Sequence, residues 1–307
     1  MPRPEHTDPA FWHWPRLPVH DAVIVGVINA SGDSYYKDSF AETAEAAVEQ
    51  ARQFIRGGAH VVEVGGQSGS TFARRVTAAE EARRTVPYIE AIHEEFPQVT
   101  ICVDTFRAEV AAAGIAAGAT WINDVTALGH DPDMIPLAAQ SGARTVLMHL
   151  EGPGGHAGRT LHRPFYADVV GEVREYFAVR AGELRAAGLS AGQLILDIGL
   201  GAGKRPAHDY ALLANVGELA SLGYDLMVGP SRKGFIRAVA PSTVEELLGG
   251  SVVAALWAVL NGARYLRVHE ARPYAQALDV WNAIVGTERW PGREERGGGA
   301  AGGGDGR

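Results

Sequence analysis

The chain is short of the features that usually announce a chemistry. Cys102 is its only cysteine, so no internal disulfide can form, and its apolar neighbours mark a buried structural thiol. It has no paired-cysteine site, no HExxH, no Gly-x-Ser-x-Gly elbow and no EF-hand loop, which leaves structural zinc and hydrolase readings without support. No apolar run reaches the length of a membrane span. Residues 1–20 carry charges and prolines without a continuous apolar core, so no signal peptide is expected. Positive charge is scarce too. Lys and Arg number 28 against 36 Asp and Glu, a formal net charge of −8, which argues against nucleic acid as the main partner because phosphate binding wants a basic surface. A cytoplasmic enzyme is the expectation.

What is present is a rhythm. Apolar bursts of strand length at 22–29, 60–64, 100–103, 120–123, 145–148, 194–197, 226–229 and 264–268 alternate with amphipathic stretches such as 41–56, 77–96, 107–117, 168–187 and 244–261. Repeated βα units of this kind predict an α/β fold, and eight of them in one chain predict a single-domain (β/α)8 TIM barrel. Gly57-Gly58, Gly118, Gly142, Gly188, Gly223 and Gly262 each follow a helix and precede a strand, where positive φ is wanted. In the first helix Ala44, Ala47, Val48, Ala51, Phe54 and Ile55 share one face, a stripe suited to a sheet. The barrel is expected over 21–288. Residues 1–20, with Phe11-Trp12-His13-Trp14-Pro15, read as an N-terminal plug or flap, and the Gly-rich tail 289–307 reads as disordered.

Polar residues stand where the apolar bursts end. Asp104, Asn123, Asp197 and Lys233 follow four strands, and in a parallel barrel those ends converge on one mouth. Singly, an aspartate there is more often a cap or an Asx turn. Together, two carboxylates, an amide and an ammonium outline a pocket for a flat, nitrogen-rich heterocycle. Arg267 and His269 follow the last strand, near where barrels often bind phosphate; the bland reading of Arg267 is a surface pair with Glu270. Asn29 ends the first strand, where an amide can hold Mg2+ or a phosphate oxygen. Met148 reads as a wall against an aromatic ligand, and His149 as either ligand-facing or packed. Gly199-Leu200-Gly201-Ala202-Gly203-Lys204 lacks the Walker spacing and is expected to be a flexible strand–helix connection.

Read in order, these motifs resemble dihydropteroate synthases and, more broadly, the pterin-binding barrel family, over about residues 23–285. The family's Val-Asp-Thr, Ile-Asn-Asp, Ser-Arg-Lys and Arg-Val-His motifs stand intact at Asp104, Asn123, Ser231–Lys233 and Arg267–His269. The resemblance implies a transferase that joins a 7,8-dihydropterin methylene, with pyrophosphate leaving, to p-aminobenzoate or a related acceptor. It implies a pterin site of Asp104, Asn123, Met148, Asp197 and Lys233. Asn29, Arg267 and His269 would hold the pyrophosphate, with Mg2+ on Asn29, and Lys233, Asp104 and Arg267 would be the catalytic groups. The acceptor would meet Ser31, Asp33, Tyr35, Ser68, Ser70 and Ser231, and the protein would be a homodimer through its last helices.

The chain departs from the family in two loops. The family's Asp-Ile-Gly-Gly-Glu-Ser-Thr-Arg-Pro-Gly is Glu63-Val64-Gly65-Gly66-Gln67-Ser68-Gly69-Ser70-Thr71-Phe72 here, so the loop arginine has no match at Ser70, although Arg74 and Arg75 lie nearby. The first loop has Gly32 for proline and Tyr35 for phenylalanine. These changes mark a divergent member or paralogue. They keep two alternatives open, a reduced-folate-dependent one-carbon transferase and a non-catalytic pterin-binding paralogue.

Overall fold

The computed structural model describes residues 22–30, 40–67, 76–150 and 166–285. The expected N-terminal plug (1–20), the glycine-rich tail (289–307) and the loop positions Ser31, Asp33, Tyr35, Ser68, Ser70, Arg74 and Arg75 lie outside the described residues.

Eight parallel strands close on themselves in sequence order. They are β1 (Val23–Asn29), β2 (Val61–Gly65), β3 (Thr100–Asp104), β4 (Trp121–Asp124), β5 (Arg144–Met148), β6 (Leu194–Asp197), β7 (Asp225–Val228) and β8 (Tyr265–Val268). Closure is made by β1 against β8, with Val23 opposite Tyr265 and Val25 opposite Arg267. Around them run α1 (Ala44–Arg56), α2 (Ala78–Glu95), α3 (Ala108–Ala116), α4 (Met134–Ser141), α5 (Val169–Ala186), α6 (Pro206–Ala214), α7 (Val216–Ala220), α8 (Leu248–Leu260) and α9 (Arg272–Val285). The expected TIM barrel is the observed fold. Among the described residues no helix is long and apolar enough to cross a membrane.

Helix starts follow local chemistry. Thr43, Thr77 and Asp168 accept from the backbone N–H groups of Ala46, Glu80 and Gly171, and so cap α1, α2 and α5. Helix α1 therefore begins three residues later than the periodicity suggests. The stretch 244–261 divides into a 3-10 turn, Glu245–Leu247, followed by α8. Gly58, Gly118, Gly142, Gly188, Gly223 and Gly262 all have positive φ, as expected, but Gly57 has φ −78° and is an ordinary helix cap.

The period of two along each strand divides the core. Outward-facing Ile24, Val62, Ile101, Leu147 and Leu196 pack under the helices. At Gly26 a Cβ would lie 2.3 Å from the ring of Phe54, so a bare strand residue lets α1 seat that phenyl group against β1. Inward, each strand contributes one residue to a second apolar cluster: Val25, Val61, Cys102, Trp121, Val146, Ile195, Met227 and Tyr265. A fully buried side chain of this kind contributes about 1.5–3 kcal/mol, and the layer is a solid floor. Cys102 lies in it as a buried free thiol, pushed well above its ordinary pKa by burial. At the strands' N-terminal end Arg144 closes the barrel. Its guanidinium lies over Trp121 and Tyr265, 5.0 and 5.3 Å from the ring centroids, and 2.5 Å from Asp225.

Candidate active site

Two residues beyond the apolar layer, the same face of six of the strands carries different side chains. Glu63, Asp104, Asn123, Met148, Asp197 and Arg267 stand there, above Val61, Cys102, Trp121, Val146, Ile195 and Tyr265 in turn. The floor excludes water from below, so whatever these groups bind enters from the strands' C-terminal ends. The structure thus brings together the strand-end residues that the sequence singled out.

Glu63 is at the centre, with an exposure of 0%. Its Oε1 accepts from Arg267 Nε at 2.8 Å and from Arg267 Nη2, and its Oε2 accepts from Asn123 Nδ2 at 3.1 Å. Arg267 Nη2 also donates to Asp104 Oδ2 at 3.2 Å. One guanidinium therefore bridges two carboxylates, and the surface pair with Glu270 does not form; Glu270 takes Arg232 instead, at 2.7 Å. Burial works against the charge on Arg267, but the carboxylates of Glu63 and Asp104 outweigh it and raise its pKa. Burial, followed by the negative charge of Glu63, pushes Asp104 up to about 8. The buried Oδ1 of Asn123 has no hydrogen-bond partner among the described residues.

Across the mouth, buried Asp197 accepts from the backbone N–H of Gly199 at 2.8 Å. Lys233 donates to the carbonyl of Leu200, and burial lowers its pKa while the charge of Asp197 opposes that shift. His269 follows β8, with Nδ1 3.0 Å from the Ser231 hydroxyl, which also accepts from the His269 backbone N–H at 3.3 Å. Burial and the neighbouring cations Arg267, Lys233 and Arg232 bring His269 down to about 3, so its ring is neutral. Ser231 is thus buried against His269. Asn29 ends β1, where its carbonyl accepts from the N–H of Ala41 at 2.9 Å, and Met148 ends β5 opposite Asp197.

Several motif residues do structural work. Asp124 accepts from the backbone and hydroxyl of Thr126, both at 2.7 Å, and from the N–H of Leu128 at 3.2 Å. Arg232, at φ 53°, holds the carbonyls of Val244 and Glu245. His149 is the packed residue of its two readings: it meets Tyr176 edge-on at 4.9 Å, and burial brings it to about 3. The glycine-rich connection expected to be flexible is pinned. Lys204 Nζ donates to the carbonyls of Gly199 and His149 at 3.0 and 3.1 Å.

The site residue that the sequence reading missed is Glu63. It lay in plain view as an acidic residue inside an apolar strand, Val61-Val62-Glu63-Val64, and a carboxylate there demands a cation.

Comparison with known proteins agrees with the fold. The profile of the family described as "Pterin binding enzyme" matches residues 25–269. The dihydropteroate synthase of Synechocystis sp. PCC 6803 is 34% identical over 262 residues, 85% of this chain and 89% of its own length. The Xanthomonas albilineans dihydropteroate synthase solved with 4-aminobenzoic acid superposes with a TM-score of 0.78 at 35% identity, covering 88% of this chain and 94% of the other. The same bacterium's enzyme in complex with 7,8-dihydropteroate gives 0.76 at 33% identity, covering 90% and 97%.

Proposed function

The chain belongs to the pterin-binding enzyme family, and from that premise we propose that it joins a 7,8-dihydropterin methylene to p-aminobenzoate, releasing pyrophosphate. Its activity is that of a dihydropteroate synthase, a transferase. The observation that carries this is the polar ring at the mouth. Asn123 Oδ1 is a buried acceptor awaiting a donor, and the Arg267 guanidinium is the cation that a departing diphosphate would meet.

In this reading Asp104, Asn123, Asp197 and Lys233 hold the pterin edge to edge, with Met148 against its face. Arg267, His269 and Asn29 lie along the diphosphate. The carbon–oxygen bond to the diphosphate breaks with its electron pair leaving on oxygen, and the ring stabilises the methylene cation. The amine nitrogen then forms the new bond and loses a proton. Arg267 neutralises charge on the leaving group, and the dry floor strengthens that interaction. No protein nucleophile is required. Ser231, with the loop residues Ser31, Asp33, Tyr35, Ser68 and Ser70, is taken to face the acceptor.

Mg2+ fits as a partner of the diphosphate. Among the described residues no three His, Cys, Asp or Glu side chains could hold a metal unaided, whereas one amide at the end of β1 suits a cation that keeps waters and is shared with phosphate oxygens. Asn29 would hold it, and it would supply further charge neutralisation on the diphosphate.

We read the protein as a cytoplasmic homodimer. Val253 and Trp257 on α8 are 69% and 49% exposed, and Val280 and Ile284 on α9 are 53% and 61% exposed. Each pair is spaced four residues apart on neighbouring helices, an apolar patch of the kind that pairs with its own copy.

The function is tested by incubating the protein with 6-hydroxymethyl-7,8-dihydropterin pyrophosphate, p-aminobenzoate and Mg2+, then separating the products. Dihydropteroate formed in proportion to pyrophosphate is expected. Pyrophosphate release that ignores p-aminobenzoate, or none at all, would overturn the reading.

A further inference from the structure

We infer that Glu63 is a positioning residue that sets which hydrogen bonds the site offers to each half of the substrate. The inference rests on the function proposed above, because it takes Asn123 as a ring contact and Arg267 as a diphosphate contact.

An ionised carboxylate only accepts hydrogen bonds, so Asn123 must present its NH2 to Glu63, as it does at 3.1 Å. That choice leaves Oδ1 as the unpartnered, buried end of the amide. Glu63 therefore makes Asn123 an acceptor toward the ligand and selects a ring edge bearing an N–H or amino group. The other oxygen of Glu63 takes both Nε and Nη2 of Arg267. These bonds and the one to Asp104 leave Nη1 of Arg267 for a diphosphate, while the carboxylate of Glu63 offsets the positive charge that the diphosphate would meet. From β2, Glu63 meets donors on both β8 and β4, and the family motif carries the same acceptor-only chemistry there as an aspartate.

A neutral isostere separates the two effects. In Glu63→Gln the cation Arg267 claims the amide oxygen, so the new NH2 faces the NH2 of Asn123. Two donors cannot pair, and Asn123 turns its oxygen away from the ligand. The negative charge that offsets Arg267 is removed at the same time. Equilibrium titrations with two half-ligands read this out: 6-hydroxymethyl-7,8-dihydropterin for the ring, and inorganic pyrophosphate with Mg2+ for the leaving group. Ring affinity should fall about 10- to 100-fold, the consequence of one mispaired buried group, while pyrophosphate affinity should hold or rise. Glu63→Asp, which stays acceptor-only, should keep ring affinity much nearer that of the unaltered protein.

A merely structural glutamate would lower both affinities together. A parallel fall, or unchanged ring affinity in Glu63→Gln, overturns the inference while leaving the proposed function standing. If the unaltered protein binds neither half-ligand, the function fails and the inference with it. Should Glu63→Gln not fold, a crystal structure of the unaltered protein with the ring decides: a ring donor on Asn123 supports the inference, and a ring acceptor there overturns it.

Discussion

Replacing Arg267 by alanine tests the buried network most severely. The substitution removes the 2.8 Å bond from Nε to Glu63, the second bond from Nη2 to the same oxygen, and the 3.2 Å bond to Asp104. Glu63, wholly buried, is left with the amide of Asn123 as its remaining donor among the bonds described above. Breaking a buried pair by removing one partner costs about 3–5 kcal/mol. The cost must also depend on pH. In the unaltered protein burial and the charge of Glu63 raise Asp104 to about 8. From about 4, where an unfolded aspartate ionises, up to about 8, the folded chain keeps a proton that the unfolded chain has lost, so this group's contribution to stability declines as pH rises. Arg267 is the cation that favours ionised Asp104. Without it the declining window extends to higher pH, and the penalty is larger at about pH 9 than at about pH 6. Urea unfolding followed by circular dichroism at both pH values measures it. Adding Glu63→Gln to Arg267→Ala should recover part of the loss, because the uncompensated charge is then gone. A penalty below about 1 kcal/mol at both pH values, the size of an exposed pair, would refute the reasoning.

Other parts of the structure give separate expectations. Gly199→Ala should lower stability by about 2–4 kcal/mol, because φ is +64° and a Cβ would lie 2.2 Å from the His149 carbonyl oxygen; its thermal midpoint checks this, and an unchanged midpoint contradicts it. Arg144→Met should cost about 2–4 kcal/mol in urea unfolding while kcat is retained, since the lost pair with Asp225 closes the end of the barrel opposite the mouth. His149, lowered by burial to about 3, contributes stability that is full above about pH 6.5 and is lost as pH falls toward about 3, by no more than about 5 kcal/mol. His149→Phe should therefore flatten the acid limb of the stability profile, and an acid limb left as steep would contradict that assignment.

The fold was largely legible because its signals are local. Eight apolar bursts and the glycines closing the helices are read within a few residues, and strand ends differ from expectation only by a residue or so. Among the helices that periodicity did not single out, α7 has five residues and α4 has eight, too few turns to display a 3.6-residue repeat. At the site, residue type and strand position placed Asp104, Asn123, Asp197, Lys233 and Arg267 together. Their partners were not legible. Arg267 lies three residues from Glu270 in sequence, yet it pairs with Glu63, which lies 204 residues away, because barrel closure sets β8 next to β1, one strand from β2. The same closure explains Glu63, whose partners come from β4 and β8. Lys204 reads as part of a loose loop until the fold brings the carbonyl of His149 to it.

The central claim is that the mouth bounded by Asp104, Asn123, Asp197 and Lys233 is the ring pocket. Titration of the unaltered protein and of Lys233→Ala with 6-hydroxymethyl-7,8-dihydropterin, with thermal unfolding to check the fold, tests it most directly. The unaltered protein should bind the ring, and the folded variant should bind it at least about tenfold more weakly. An unchanged affinity in Lys233→Ala would contradict it.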